Sequence, residues 1–378
     1  MNCTLEDMIK DGCTERMANV FYSAMQKEKE SQIWSDEFIN WAHSNGFLAE
    51  SASAYNLTDK NMNEYLSDYN YYKLWPFNSW QRIWINDKLT LKYMLDGTEF
   101  HNLLPRYYFY VGADRIYALL DSRNKNKAEE NDIVNVLKEE KALACKPCNG
   151  AASLGFFKLS YSEGNFFIND VQCGKEEIFT FIRLHTNYIY TQYLYPVDYM
   201  AKISPVIHTI RLQVINDDGC NPFLAGGYLR FGTKDTGAAN LRNNEVSAAF
   251  DYDVKIDLDT GEFGQAMAIY VNRIEDMPFH PDSREETKGK VENWKEITDA
   301  VIGIANRFNM CEYMAFDMCV SSCGIKIMEI NSHGGIKHLQ VRNPLLRDER
   351  SRKYYEKKLA LINNMTAEEK EARCKTAR

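Results

Sequence analysis

The segment AFDMCVSSCGIKIMEINSHGG (residues 315–335) restricts the fold more than any other part of the chain. Two apolar runs flank a short polar turn at Ser321-Ser322-Cys323-Gly324, the pattern of an antiparallel hairpin. Side chains alternate along a strand, so Glu329 and Asn331 point to one face while Met328 and Ile330 point to the other. Hairpin pairing can bring Asp317 to the face of Glu329 and Asn331. Two carboxylates and an amide oxygen form a hard-oxygen site suited to Mg²⁺ or Mn²⁺, with positions left for water and substrate phosphates. The plainer reading is a polar, solvent-facing hairpin. It suffices for Asp317 alone but not for all three residues followed by Gly334-Gly335.

A second stretch, ALACKPCNGAASLGFFKL (residues 142–159), has two incompatible readings. Cys145 and Cys148 have the spacing of a dithiol or half a zinc site. The same letters end an apolar strand at Lys146-Pro147 and continue into a loop with Gly150 and Gly155. Zinc needs a second pair, and the nearest candidate, Cys319 with Cys323, begins inside a strand-like run instead of a knuckle turn. The ten cysteines follow no small-scaffold rhythm. In a cytoplasmic protein they are free thiols before they are disulfides. A cytoplasmic location is expected because MNCTLEDMIKDGCTERM carries acids where a signal peptide has a basic and then an apolar region. No run approaches the ~18 apolar residues of a membrane span. The net charge of −8 argues against a general nucleic-acid binder. A chain of 378 residues can bury two or three domains' worth of core.

Residues 1 to about 80 carry broken helical periodicity, and the Tyr-rich part at 55–72 reads as core or interface. A helix is predicted at Asn86-Asp87-Lys88, where Asn or Asp can cap it. RYYFYV is a strand, and AEENDIVNVLKEEKALACKP an amphipathic helix followed by a strand. LGFFKLSYSEGNFFIND forms two strands joined at Ser162-Glu163-Gly164; EEIFTFIRL is a helix and YIYTQYLY a strand. HTIRLQVIN, AGGYLRFGT and DYDVKIDLDTGEFGQAMAI supply further strands, the last with a turn at Asp259-Thr260-Gly261. VENWKEITDAVIGIANRF is an amphipathic helix, and a charged helical tail follows Pro344.

A strand ending in Lys-Pro, a glycine loop, and a late D…E-x-N on paired strands resemble the ATP-grasp superfamily from about residue 85 to 345. The Asp87-Lys88 helix start, His208-Thr209-Ile210-Arg211, Arg230-Phe231-Gly232, the DLDTG turn, and His280-Pro281-Asp282 ahead of Trp294 resemble its sugar-transfer branch, associated with cell-surface polysaccharide synthesis. The resemblance implies an α+β ATP-grasp fold, two α+β subdomains clasping ATP, with an N-terminal helical extension. It implies boundaries at 1–80 (helical region), 81–140 (N-terminal part of the module), 141–200 (Lys/Gly-loop nucleotide subdomain), 201–345 (metal and substrate subdomain) and 346–378 (charged tail). Lys88 and Lys146 would contact nucleotide phosphates. The Gly150–Gly155 loop would cover those phosphates with backbone N–H groups. The backbone of Tyr193 and Leu194, beside Gln192, would meet the adenine edge, with Asp198 at the ribose. Arg211 and Arg230 would face the reacting groups; Asp317, Glu329 and Asn331 would hold the metal. Two positions depart from the family pattern. Tyr193 stands where an acid is expected, and AANLRNN around Asn240 lacks the usual Asp-Asn.

The implied reaction is ATP-dependent joining of a carboxylate to an amine, giving an amide, ADP and phosphate. The amine or acid is sugar-linked by association with the branch. A second copy of the chain or a glycosyltransferase are open as protein partners. Rival readings are a phosphotransferase, an ester, thioester or peptide ligase, a nucleotide-binding interaction protein without turnover, and a zinc or dithiol protein built on Cys145 and Cys148. His208, His280 and His333 each have a structural reading and are assigned no catalysis, and Lys88 can also be an ordinary first-turn residue.

Overall fold

A computed structural model describes residues 4–119, 128–150, 154–234 and 250–376. The chain forms two compact units: Ile83–His208 with Met318–Ile330, and Met1–Arg82 with Thr209–Asp317 and Asn331–Arg378.

The first of these is built on strands β1 (Tyr107–Val111), β2 (Ile116–Ala118), β3 (Ala142–Pro147), β4 (Phe157–Ser162), β5 (Asn165–Ile168), β6 (Val171–Cys173) and β7 (Tyr188–Gln192), in the order β2-β1-β7-β3-β4-β5-β6. The strands pair antiparallel, with Cys145 opposite Tyr190 and Lys146 opposite Ile189. The helix Glu130–Glu140 repeats its apolar residues at Ile133, Val134 and Leu137; Lys175–Leu184 does so at Ile178, Phe181 and Ile182. These six pack with Leu143, Cys145, Leu159 and Tyr190 in one core. Because β3 alternates, Leu143 and Cys145 bury against the helices while Lys146 turns to the other face. The first helix ends at Lys141, whose φ of 68° reverses the chain into β3. β7 stops at Gln192, short of the strand expected through Tyr195. Its ladder to β1 ends at Thr191 and its ladder to β3 at Gln192. Pro196, which has no N–H to donate, follows soon after.

The second unit carries β8 (Thr209–Ile215), β9 (Phe223–Phe231), β10 (Asp251–Ile256), β11 (Glu262–Ile269), β12 (Ile274–Asp276), β13 (Gly289–Lys290), β14 (Tyr313–Ser321) and β15 (Gly324–Asn331). The sheet order is β12-β11-β10-β9-β8-β14-β15, with β13 on β11. Residues Met318–Ile330 of the last hairpin count with the other unit. The hairpin turn is tighter than the sequence predicts: Ser321 and Gly324 are already in strands, and Gly324 adopts a φ of 90° that glycine accepts without strain. The helix Trp294–Arg307 buries Ile297, Val301 and Ile304. Gly261, at φ 73°, lies against Trp294; a Cβ there would come within 2.5 Å of Trp294 Cγ, so the turn and the helix start fix each other.

The N-terminal helices Leu5–Lys10, Glu15–Glu30, Asp36–Ser44 and Asp68–Leu74 are capped by Thr4, Thr14, Ser35 and Ser67. Ala49–Ala54 has a leucine at its cap position, and its orphan N–H groups are met from elsewhere. Ala49 and Glu50 donate to Glu28, and Leu48 donates to Asp68 Oδ2 at 2.9 Å. Leu66, Tyr71, Leu74 and Phe77 share a core with Ile215, Tyr313, Tyr354 and Tyr355, the last two from the helix Glu349–Asn363. The Gln340 amide ties Leu66 in place, accepting from its N–H at 2.8 Å and donating to its carbonyl at 3.0 Å. None of the described helices is long and apolar enough to cross a membrane.

Candidate active site

In the unit built on β1–β7, the side chains singled out from the sequence converge on Glu329. Asp87 caps the helix Lys88–Leu95 as predicted, accepting from Thr90 N–H at 2.7 Å. The Lys88 backbone N–H donates to Cys148 O at 2.8 Å, which fixes the helix start to the end of β3. Its side chain is buried, donating to Gly150 O at 2.9 Å and lying 3.2 Å from Glu329 Oε2. Lys146 Nζ donates to Met328 O at 3.4 Å. Burial, with the Lys88 charge beside it, pushes the Lys146 ammonium down to about 8, and Glu329 acts in the opposite direction. Lys88 pairs with Glu329 and Lys146 lies within the field of the same carboxylate, so two cations stand near one acid and an anion can relieve their excess charge.

Gly155 takes a φ of 75° with Tyr188 Oη 2.5 Å from where a Cβ would stand, so this end of the loop accepts only glycine. Residues 151–153 lie outside the described residues. Past the end of β7, Tyr193 and Leu194 run beyond both ladders. The Tyr193 ring lies beside Tyr195 and under Lys158 Nζ at 5.4 Å, while Gln192 Nε2 donates to Cys323 Sγ. Asp198 is exposed at the start of the helix Asp198–Ile203. Cys145 and Cys148 are free and buried; burial pushes the Cys145 thiol well up and the Cys148 thiol to about 12. Neither is a reactive thiolate. Among the described residues no three His, Cys, Asp or Glu side chains group as metal ligands. His208 is likewise structural: its Nε2 accepts from Val320 N–H at 3.0 Å, and burial lowers the ring to about 3.

In the other unit, Arg211 grips Asp317 with a two-pronged bond, Nε to Oδ1 at 2.5 Å and Nη2 to Oδ2 at 2.8 Å. Asn331 Nδ2 donates to the same carboxylate at 3.3 Å, so Asp317 and Asn331 share one face of the hairpin. Gly334 closes over the arginine: a Cβ there would lie 2.9 Å from Arg211 Nη1 and 2.4 Å from Ala315 Cβ. Arg230 is buried on β9, opposite Thr209 on β8 and Asp253 on β10. His338 Nδ1 bonds Asp253 Oδ2 at 2.5 Å, with Asp251 Oδ2 at 3.6 Å from its Nε2. His280 is a turn residue, bonded through Nε2 to Gly232 O at 3.1 Å. The stretch around Asn240 lies outside the described residues.

Sequence reading missed the residues that brace this second group. Asn78, 2% exposed, donates to Tyr313 O at 2.6 Å and Ser332 O at 3.2 Å, and accepts from Tyr313 N–H at 3.1 Å. Tyr71 Oη donates to Gly334 O at 2.8 Å. Both belong to the N-terminal segment, in the Asn- and Tyr-rich stretch whose composition hides any specific pairing. Arg16 lies over Trp75 at 5.6 Å, and Trp75 meets His333 edge-on at 6.1 Å. Desolvation, then the charges of Arg16 and Arg82, hold the His333 ring below its ordinary range.

A sequence profile described as sugar-transfer associated ATP-grasp matches residues 85–350. The chain belongs to this family. Its fold is accordingly ATP-grasp, of the α+β class, and the helical N-terminal residues precede the matched region. No curated protein matches this member of the family. Among solved structures it is similar to D-alanyl-alanine synthetase A from Vibrio cholerae (11% identity, 74% of this chain and 66% of that one, TM-score 0.42). It is similar also to biotin carboxylase from Campylobacter jejuni (10%, 76% and 48%, TM-score 0.43) and to D-alanine–D-alanine ligase from Bacillus anthracis complexed with ATP (12%, 78% and 70%, TM-score 0.37). The family member spans just under two thirds of the length of the Vibrio enzyme and about half that of the carboxylase.

Proposed function

We propose that this protein is an ATP-dependent carboxylate–amine ligase acting in the assembly of a surface polysaccharide or sugar conjugate. The observation that carries the reading is a pair of lysines beside Glu329: buried Lys88, paired with its carboxylate and bonded to the carbonyl of Gly150, and half-buried Lys146, bonded to the neighbouring Met328 O. Two cations, an acid and a glycine loop make a receptacle for polyphosphate. In this reading Gly150 and Gly155 border the phosphates, Gln192, Tyr193 and Leu194 border the base, and Asp198 borders the ribose.

Asp317, Glu329 and Asn331 would suit Mg²⁺ or Mn²⁺ because each side chain carries a hard oxygen; Asp317 is held by Arg211 and accepts from Asn331 Nδ2 at 3.3 Å. When bound, the metal neutralises charge on the β- and γ-phosphates. The chain's own residues orient the reactants. Arg211, held by Asp317 and lying against Gly334, would supply positive charge to the reacting carboxylate or phosphoryl group, with Arg230 as a second cation. A carboxylate oxygen attacks the γ-phosphorus and ADP leaves. The amine nitrogen then attacks the acyl carbon, phosphate leaves, and the nitrogen gives up a proton. Positioning and charge stabilisation supply most of the acceleration. Loss of one such cation raises the barrier by about 3 kcal/mol, roughly two decades in rate.

A phosphate-release screen of carboxylate and amine pairs tests the reading, with Asp317→Ala and Glu329→Ala as blanks. Phosphate released only when both acid and amine are present is the expected result. A phosphorylated acceptor makes the protein a phosphotransferase, and activity surviving either substitution overturns the metal assignment.

A further inference from the structure

Two strands from Arg211 on the second sheet, β10 carries a carboxylate to which the reading above gives no task. Asp253 is 3% exposed. Its Oδ2 bonds His338 Nδ1 at 2.5 Å, while its Oδ1 is buried without a hydrogen-bond partner. The His338 ring is buried too, and its Nε2 lies 3.6 Å from Asp251 Oδ2, beyond hydrogen-bond reach. A cavity of about 20 Å³ adjoins them, lined by Tyr228, Met267, Val341 and Asn343 as well as by Asp253 and His338. That is room for one group the size of water or ammonium. In the ladders of β8, β9 and β10, Arg211 stands opposite Tyr228 and Arg230 opposite Asp253. Side chains alternate along a strand, so Asp251, Asp253, Tyr228, Arg230 and Arg211 share one face of the sheet. All of these residues belong to one unit.

We propose that Asp251, Asp253 and His338 hold the amino group of the amine substrate as an ammonium ion. A structural role, docking the short helix Lys337–Gln340 on β10, accounts for Asp253 Oδ2 and His338 Nδ1. It does not account for Asp253 Oδ1, a carboxylate oxygen withdrawn from water with no donor in exchange. Nor does it account for Nε2: with the ring proton on Nδ1, its lone pair faces the Asp251 carboxylate. A hydrogen-bond donor in the cavity answers both. Water brings two hydrogens and no charge, whereas an alkylammonium brings three and the positive charge that carboxylates favour. Met267 and Val341 give its carbon an apolar wall. The face of the sheet then sorts the two substrates by charge. Arg211 and Arg230 attract the acid or its acylphosphate, and the acids on β10 draw the amine to the neighbouring strand. The substrate implied is a primary amine that binds protonated.

The assignment of this amine to ligation rests on the ligase reading, and the test separates the two. The Cε1–H resonance of His338, identified by its absence in His338→Gln, is followed by NMR in the full chain at neutral pH. Ethylamine, and separately ethanol, is added with and without saturating MgADP. Ethylamine is expected to shift the resonance saturably at millimolar concentration whether or not MgADP is bound, and ethanol to leave it in place. Asp253→Asn sets an NH₂ group where the bare Oδ1 stands and can still accept from His338. Ethylamine is expected to bind about tenfold more weakly in this variant and in Asp251→Asn, the size of one charge-assisted hydrogen bond, while MgADP affinity is unchanged. Because Asp253→Asn retains the bond to His338, a folding defect in Asp251→Asn cannot mimic the result. No saturable shift with ethylamine, an equal shift with ethanol, or unchanged affinity in both variants overturns the amine site. Failure of MgADP to bind while ethylamine still does overturns the ligase reading instead and leaves the ammonium site standing.

Discussion

Replacing Asn78 by Asp changes one NH₂ group to an oxygen. In the native chain that NH₂ donates to Tyr313 O and Ser332 O, at 2.6 and 3.2 Å, in a place where Asn78 is 2% exposed. The carboxylate keeps the bond from Tyr313 N–H but leaves two carbonyls without donors and faces them with negative charge. An orphaned buried group costs about 1–3 kcal/mol, so the two together cost about 2–6 kcal/mol. Out of a total stability of about 5–15 kcal/mol, that is a large share. The loss has a definite pH dependence. Burial and two facing carbonyls raise the pKa of an acid at this position in the folded state. Stability is therefore fully present below the unfolded value near 3.9 and lost as pH rises through the raised one. Urea unfolding at pH 5 and pH 8 should show Asn78→Asp much closer to the wild type at the lower pH. Asn78→Leu should be destabilised equally at both. Because Tyr313 precedes Asp317 on β14 and Ser332 adjoins Asn331, phosphate release should fall even in the folded fraction. An Asn78→Asp protein within about 0.5 kcal/mol of the wild type at pH 8, the range of a neutral surface change, would refute the bracing argument.

Asp68, pushed up to about 7 chiefly by burial, should weaken the fold as pH rises from about 4 to 7, by about 4 kcal/mol in all. Asp68→Asn can still accept from Leu48 N–H and bond Ser51, so its melting temperature should exceed that of the wild type at pH 8 and not at pH 4. Lys146→Ala should weaken MgADP binding about tenfold or more by calorimetry, without the loss of folding expected from a core cavity. Replacing Cys145 and Cys148 together by Ser should leave nucleotide affinity unchanged in the folded protein; its loss would return the stretch to sulfur chemistry.

Local pattern reached a good part of the fold because short-range physics decides it. The Asp87 cap, the 3.6-residue repeat of Glu130–Glu140 and the alternation in β14 and β15 are settled within a few residues of themselves. The pairing of Lys88 with Glu329 is not, because the two lie 241 positions apart and either residue alone passes for an ordinary polar side chain. Asn78 and Tyr71 were hidden for the same reason. Their partners, Tyr313, Ser332 and Gly334, lie between 235 and 263 residues away. Arg211 was conspicuous because it interrupts an apolar strand. His338 was not, since nothing near it in sequence announces Asp251 and Asp253.

The Gln340 amide that ties down Leu66 is reached 274 residues later in the chain. At roughly 5–20 residues per second on a ribosome, Leu66 waits about 14 to 55 seconds before that partner exists. During this interval Leu66, Tyr71, Leu74 and Phe77 expose apolar surface that only later strands and the helix Glu349–Asn363 cover. Synthesis of this protein therefore passes through a long stage in which this apolar surface stays uncovered, until the helix Glu349–Asn363 has been made.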